Sequence, residues 1–373
     1  MKTPLKALYV VIFLISGAIG TIMLLSPVYA EELGASYMQL GMMGAYYAIG
    51  YTIMTLVTGL VMDRFEKVRI YLAFQTMNFI SIGLLAFSNT IEQVLVVRLI
   101  IGLTAGTFWV SSSAITAAMS KPHKLTHNIS LYNLSWISGL AVGPLIGGYL
   151  SDAVGFKAMF LAMSVTVLLG VGIIVVFMLP TVKLHGKLGR LTIDWKSVRA
   201  VLPAYLCLFP YTLSSGIYFS ILPGYLKEFG ITASIIGLLF TIGNVAKGLG
   251  FFGVERLVNW GTKRAIRLVS FLLAVSLAWI GYANTEYVMA LPLALYGVTN
   301  GLLEPILLNW IAQNSPAESR SFTMSIYETV FGVGMIIGPV AAGFVTNIYP
   351  ASMVYVLLAA ASLLIIPFSV GLD

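Results

Sequence analysis

Two stretches, "GLAVGPLIGG" at 139–148 and "GMIIGPVAAG" at 334–343, decide the fold. Each puts glycines and a proline into a run that otherwise reads as buried helix. Glycine costs about 1 kcal/mol and proline about 3 kcal/mol in an ordinary helix interior. The two also share a register. A shift of 195 residues lays Gly139, Gly143, Pro144 and Gly148 on Gly334, Gly338, Pro339 and Gly343. The same shift lays Gly102, Thr104 and Gly106 on Gly297, Thr299 and Gly301, and Ser120, Ser130 and Tyr132 on Ser315, Ser325 and Tyr327. No insertion is needed between 102 and 148, so the chain reads as two related halves.

Composition says what kind of halves. The 373 residues are 59% hydrophobic and 9% charged, with a mean hydropathy of +0.94, against roughly 25% charged in soluble domains. That deficit excludes a water-exposed surface and implies a polytopic, all-α membrane protein. One cysteine excludes a disulfide framework, and three histidines with that cysteine leave little material for a metal site. No cofactor is expected.

Apolar runs of about 20 residues predict twelve spans, at 6–27, 38–61, 69–88, 92–117, 128–150, 157–179, 201–223, 231–254, 264–283, 287–311, 321–346 and 350–370. The first is too long for a signal-peptide core and reads as a retained helix. The basic stretch "PTVKLHGKLGRLTIDWKSVR", 180–199, separates six spans from six. The expected organisation is an N-terminal six-helix bundle (1–179), a cytoplasmic linker (180–200) and a C-terminal six-helix bundle (201–373). With both termini cytoplasmic, only Lys157 and Lys227 of the 21 basic residues fall outside, and only Arg98 and Lys247 fall within spans. This bias orients the chain. The net charge of +7 is therefore topogenic and does not point to nucleic acid.

Three motifs follow. "GLVMDRFEKVR", 59–69, joins spans 2 and 3; "RLIIGLTAG", 98–106, opens span 4; the glycine-proline stretch lies in span 5. Together with twelve spans and a basic central linker they resemble the major facilitator superfamily over essentially the whole chain, and most closely its drug/proton antiporters. The resemblance implies two pseudo-symmetric six-helix bundles working by alternating access. It implies a gating loop carried by Gly59, Asp63, Arg64, Lys67 and Arg69, with Glu66 where glycine is usual. The other reading of that loop is a merely topogenic basic segment. Gly139, Gly143, Pro144, Gly147 and Gly148 match the antiporter motif, with Gly334, Gly338, Pro339 and Gly343 as counterparts. Residues 139, 143 and 147 form one smooth face that lets helix backbones approach closely, and Pro144 bends the helix. The alternatives are a hinge where the halves meet and rock, or a purely structural contact. Arg98 lies about six residues inside the outer boundary, costly there unless it finds water or a partner, or snorkels to the surface. Ile101 stands where the family often has glutamine.

Lys247, Glu304 and Glu328 lie about seven or eight residues from the cytoplasmic ends of spans 8, 10 and 11, roughly 10–12 Å deep. Glu304 shares a face with Gly297 and Gly301. Two carboxylates beside one lysine form either a protonatable site or a structural charge pair. The family's usual acid in the first half is missing: the interiors of spans 1, 2, 4 and 5 carry none. Tyr51, Trp109, Asn133, Tyr218 and Asn244 are candidate substrate contacts, in a lining that suits an amphipathic or aromatic molecule.

The reading is a monomeric secondary transporter in the plasma membrane, not an enzyme, that exports a small lipophilic molecule in exchange for protons. A sugar or organic-anion transporter, with Arg98 and Lys247 as anion contacts, is the alternative. A non-transporting membrane receptor is a further one.

Overall fold

The computed structural model describes residues 3–62, 65–184, 194–283, 285–316 and 319–372. Among the described residues, twelve helical segments are long and apolar enough to cross a membrane, the sixth and twelfth continuing past their α-helices to Met178 and Gly371. They are α1 (Thr3–Glu32), α2 (Tyr37–Met62), α3 (Lys67–Leu85), α4 (Ile91–Met119), α5 (Leu125–Val154), α6 (Phe156–Ile173), α7 (Leu202–Glu228), α8 (Ala233–Gly250), α9 (Thr262–Tyr282), α10 (Glu286–Asn314), α11 (Arg320–Val345) and α12 (Ala351–Leu363). A hydrocarbon interior offers backbone groups no water, so spans must satisfy them within the segment. Helices do so.

The helices outrun the apolar stretches. Span 5, expected at 128–150, runs from Leu125 to Val154, because helical hydrogen bonding continues through the interface after hydropathy has fallen. Asp152 is thereby brought into the last turn of α5. Gly155, at φ 86°, then turns the chain straight into α6. That left-handed conformation suits glycine and strains other residues.

The ends are capped by side chains. Thr90 and Gln93 form a reciprocal capping box on α4. Glu66 caps α3, accepting from Val68 N–H at 3.2 Å and Arg69 N–H at 3.0 Å. The glutamate that replaces the family's glycine thus has its own local task. The N–H of Lys67 donates to the Leu184 carbonyl at 2.9 Å, tying the start of the linker to this loop. Asp63, Arg64 and residues 185–193 lie outside the described residues. Beyond them, Asp194 caps a short helix, Trp195–Ala200. A hydrogen bond from the Ser197 hydroxyl holds the Asp194 carboxyl below its ordinary range. Trp195 packs edge-on to Phe322, ring centroids 5.4 Å apart.

Two compact units divide the chain. One holds residues 1–35, 46–189 and 232–241; the other holds 36–45, 190–231 and 242–373. Thus the start of α2 belongs with the second unit and the start of α8 with the first.

Within each unit the glycine helix packs against the unit's leading span. A Cβ at Gly143 would fall on the Gly17 carbonyl of α1, and one at Gly139 on Ser16 and the Phe13 carbonyl. Gly147 meets Thr21. In the second unit, Gly334 meets Thr212 of α7 and Gly338 meets Leu213. The smooth face read from 139, 143 and 147 is a helix–helix contact inside a unit.

Candidate functional site

The charged residues of the second half do converge. Gly297 and Gly301 of α10 press on the Gly243 and Lys247 carbonyls of α8. This close approach aims the side chain of Glu304, one turn further along α10, at α8. Lys247 Nζ donates to Glu304 Oε2 at 3.0 Å. The Tyr211 hydroxyl of α7 donates to the same oxygen, also at 3.0 Å. The lysine and glutamate side chains are 21% and 31% exposed, while Tyr211 is buried. Two of the three helices here carry a proline beside the site residue, Pro210 before Tyr211 and Pro305 after Glu304. A proline removes one backbone bond and lets a helix bend.

Glu328, on α11, is half-buried and lies within electrostatic reach of Glu304. No hydrogen bond or ion pair among the described residues holds it. With both carboxyls ionised, this group of one lysine and two glutamates carries one uncompensated negative charge. Such a charge in a partly desolvated setting draws a proton or a cation.

Aromatic residues flank the cluster. Tyr218 stacks on Tyr296 with centroids 4.6 Å apart, and the Ser214 hydroxyl bridges the Tyr211 carbonyl (2.7 Å) and the Tyr296 hydroxyl (3.4 Å). Asn244 is buried one turn before Lys247.

The first unit gathers a different set. Arg98 does not snorkel: it is 1% exposed, its guanidinium 5.1 Å from the Tyr47 ring centroid. Its Nε and Nη1 make no hydrogen bond among the described residues. Tyr47 stacks on Tyr51. Trp109 meets Trp136 edge-on at 5.6 Å, and Trp136 donates to Asn133 at 3.0 Å. Of the gating loop, Lys67 and Arg69 begin α3 and Gly59 lies in α2.

Two residues escaped the sequence reading. Tyr211 is one, although Pro-Tyr in an apolar helix marks a bend with a donor beside it. Asp152 lay two residues past the expected end of span 5. A carboxylate does therefore occur in α5, contrary to expectation. It accepts from the backbone N–H of Ala233 at 3.2 Å and of Ser234 at 2.8 Å.

The model of the Major Facilitator Superfamily matches residues 8–202 and 204–372. The chain belongs to this superfamily. Among curated relatives of this major facilitator, an uncharacterized MFS-type transporter of Methanocaldococcus jannaschii is 20% identical over 350 residues, 90% of this chain and 89% of the relative. Quinolone resistance protein NorA of Staphylococcus aureus is 23% identical over 371 residues, 95% and 93% of the two chains. Solved structures with the same fold include a POT family transporter in complex with 5-aminolevulinic acid (TM-score 0.82, 14% identity, 97% and 94% covered). Another is the nucleoside transporter NupG (TM-score 0.77, 14% identity, 98% of each chain covered). This major facilitator is thus a multi-pass membrane transporter with the twelve-helix fold that its sequence implied.

Proposed function

We propose that the chain is a secondary transporter that exports a small, lipophilic organic molecule by alternating access in exchange for protons. The observation that carries this reading is the unequal treatment of two neighbouring carboxyls. Glu304 is satisfied by Lys247 and Tyr211, whereas Glu328 has neither donor. The held carboxylate is the fixed partner, and the free one takes up and gives back the proton. Likeness to a quinolone resistance protein supports export, since removing a drug from the cell is one route to resistance. The stacked tyrosines near the cluster suit an aromatic substrate. No nucleophile constellation in the sequence suggests an enzyme, and nothing in the charge distribution calls for nucleic acid; the chain works as a monomer in the plasma membrane.

Purified protein in liposomes tests the reading. An imposed pH gradient is expected to drive accumulation of a fluorescent quinolone or another member of a panel of lipophilic aromatic amines. Compounds that raise the protein's melting temperature by mass action yet are never moved by pH would make it a receptor or a uniporter. Arg98, a buried guanidinium with two nitrogens unmatched, favours the second reading, transport of an organic anion. Organic anions belong in the same panel.

Orientation has its own test. Both termini and the linker are placed in the cytoplasm by the basic-residue bias. In intact cells, a membrane-impermeant thiol reagent is expected to modify Lys227→Cys and spare Lys187→Cys. Modification at 187 from outside would invert the topology.

A further inference from the structure

Residues 233–241 of α8 lie along the last three turns of α5 in an antiparallel seam. The Thr241 hydroxyl donates to the Ala141 carbonyl at 2.7 Å. One turn on, a Cβ at Gly237 would fall on the Pro144 carbonyl, and another turn on, Gly148 meets the Ala233 carbonyl. The seam ends at Asp152. Its carboxylate takes the N–H groups of Ala233 and Ser234, together with the Thr232 and Ser234 hydroxyls. These are the unmatched donors at the start of a helix, where the dipole also favours negative charge.

The second unit repeats the seam without a carboxylate at the end of its glycine helix. Gly343 meets Met38, as the 195-residue register requires, and Gly41 of α2, one residue from the register counterpart of Gly237, meets the Pro339 carbonyl. The residue in register with Asp152 is Asn347, which is exposed. There the start of α2 is held instead by Tyr37, whose hydroxyl donates to Glu228 at 2.6 Å. Both ends use a carboxylate that accepts from uncharged donors, but Glu228 belongs to α7, and only Asp152 sits on the glycine helix of its own seam and takes backbone N–H groups. A glycine seam supplies close packing but few directional bonds. An exposed carboxylate at its open end supplies bonds that water can take over, since Asp152 is itself solvent-exposed.

We infer that Asp152 is a positioning residue, a releasable latch that holds the start of α8 on the end of α5 and lets go during the transport cycle. The inference rests on the alternating-access reading, but its test needs no substrate. In the full-length chain with Cys207→Ser, the reporter Ala233→Cys sits at a fully buried position of the seam. In liposomes, its modification by a membrane-impermeant maleimide should be slow. Asp152→Asn, which keeps shape but loses charge, should speed it about fivefold, the upper range for a charge at an exposed helix start. Asp152→Ser should do the same, as should Gly237→Ala, which wedges the seam from its other side.

Unchanged labelling in a folded Asp152→Asn or Asp152→Ser protein overturns the latch. So does general unfolding of both, read as reactivity of buried native Cys207 in chains that retain it, because Asp152 would then be a static cap. Faster labelling in a protein that moves no compound would leave the latch standing and remove the transport reading alone.

Discussion

Glu328→Gln abolishes pH-driven accumulation of substrate in liposomes while leaving substrate exchange under symmetric conditions near the wild-type rate. That is the expected result if Glu328 carries the proton, for the amide keeps size and polarity and cannot titrate. One pH unit is worth ~1.4 kcal/mol per proton, enough for a tenfold gradient of a neutral substrate exchanged one for one. The variant should lose that gradient entirely. Glu304→Gln is expected to behave differently. It strips Lys247 of its ion partner and Tyr211 of its acceptor, so it should lower the melting temperature as well as impair coupling. The penalty is moderated because the pair retains 21% and 31% exposure, which lets solvent screen the Lys247 ammonium. If both single variants and the double variant still concentrate substrate when driven by pH, the carboxyls are structural. The proton would then have to travel by another group, such as Asp63, or not at all.

The parts of this arrangement legible in the sequence are those set by periodicity and depth. Gly297, Gly301 and Glu304 fall on one helical face, and a lysine at matching depth on another span invites pairing. The structure brings Lys247 and Glu304 together across α8 and α10. The 195-residue register carries over into space to within one residue: Gly143 meets Gly17, and its counterpart Gly338 meets Leu213, the neighbour of the Thr212 that the register pairs with Gly17. What could not be read was anything depending on a third helix. Tyr211 reaches Glu304 through a rotamer and a crossing angle that no spacing in α7 encodes. Asp152 was missed for a different reason. Hydropathy ends a span at its first polar residues, whereas the helix ends where its hydrogen bonds do. Glu66 shows a local rule overriding a family pattern: at the start of α3 a carboxylate two residues before Val68 finds two free N–H groups, whatever residue is usual there.

Gly143→Leu and Gly338→Leu are expected to prevent folding rather than to trap one conformation. A glycine face alone suits either a sliding surface or a fixed one. The positions of the neighbours decide between these. At Gly143 the atoms in the way are the carbonyl and Cα of Gly17, and at Gly338 they are the backbone of Leu213. Backbone inside a packed helix pair cannot swing aside as a side-chain tip can. Overpacking a tight core typically costs 1–3 kcal/mol even where rotamers can adjust, and here α1 and α5, or α7 and α11, must separate along their length. Destabilisation above about 4 kcal/mol, rare among single substitutions, is expected, visible as loss of the monodisperse peak after detergent extraction. Gly172→Ala in α6 is the internal control. Its new methyl would meet nothing within 4 Å, and alanine favours helix by about 1 kcal/mol over glycine, so its melting temperature should hold or rise. Should Gly143→Leu give folded protein with wild-type flux, α1 and α5 must be able to part in the native state. The seam between them would then belong to the moving parts of the transporter, and the contact at Gly148 and Gly237 would lose its claim to be the place where release occurs.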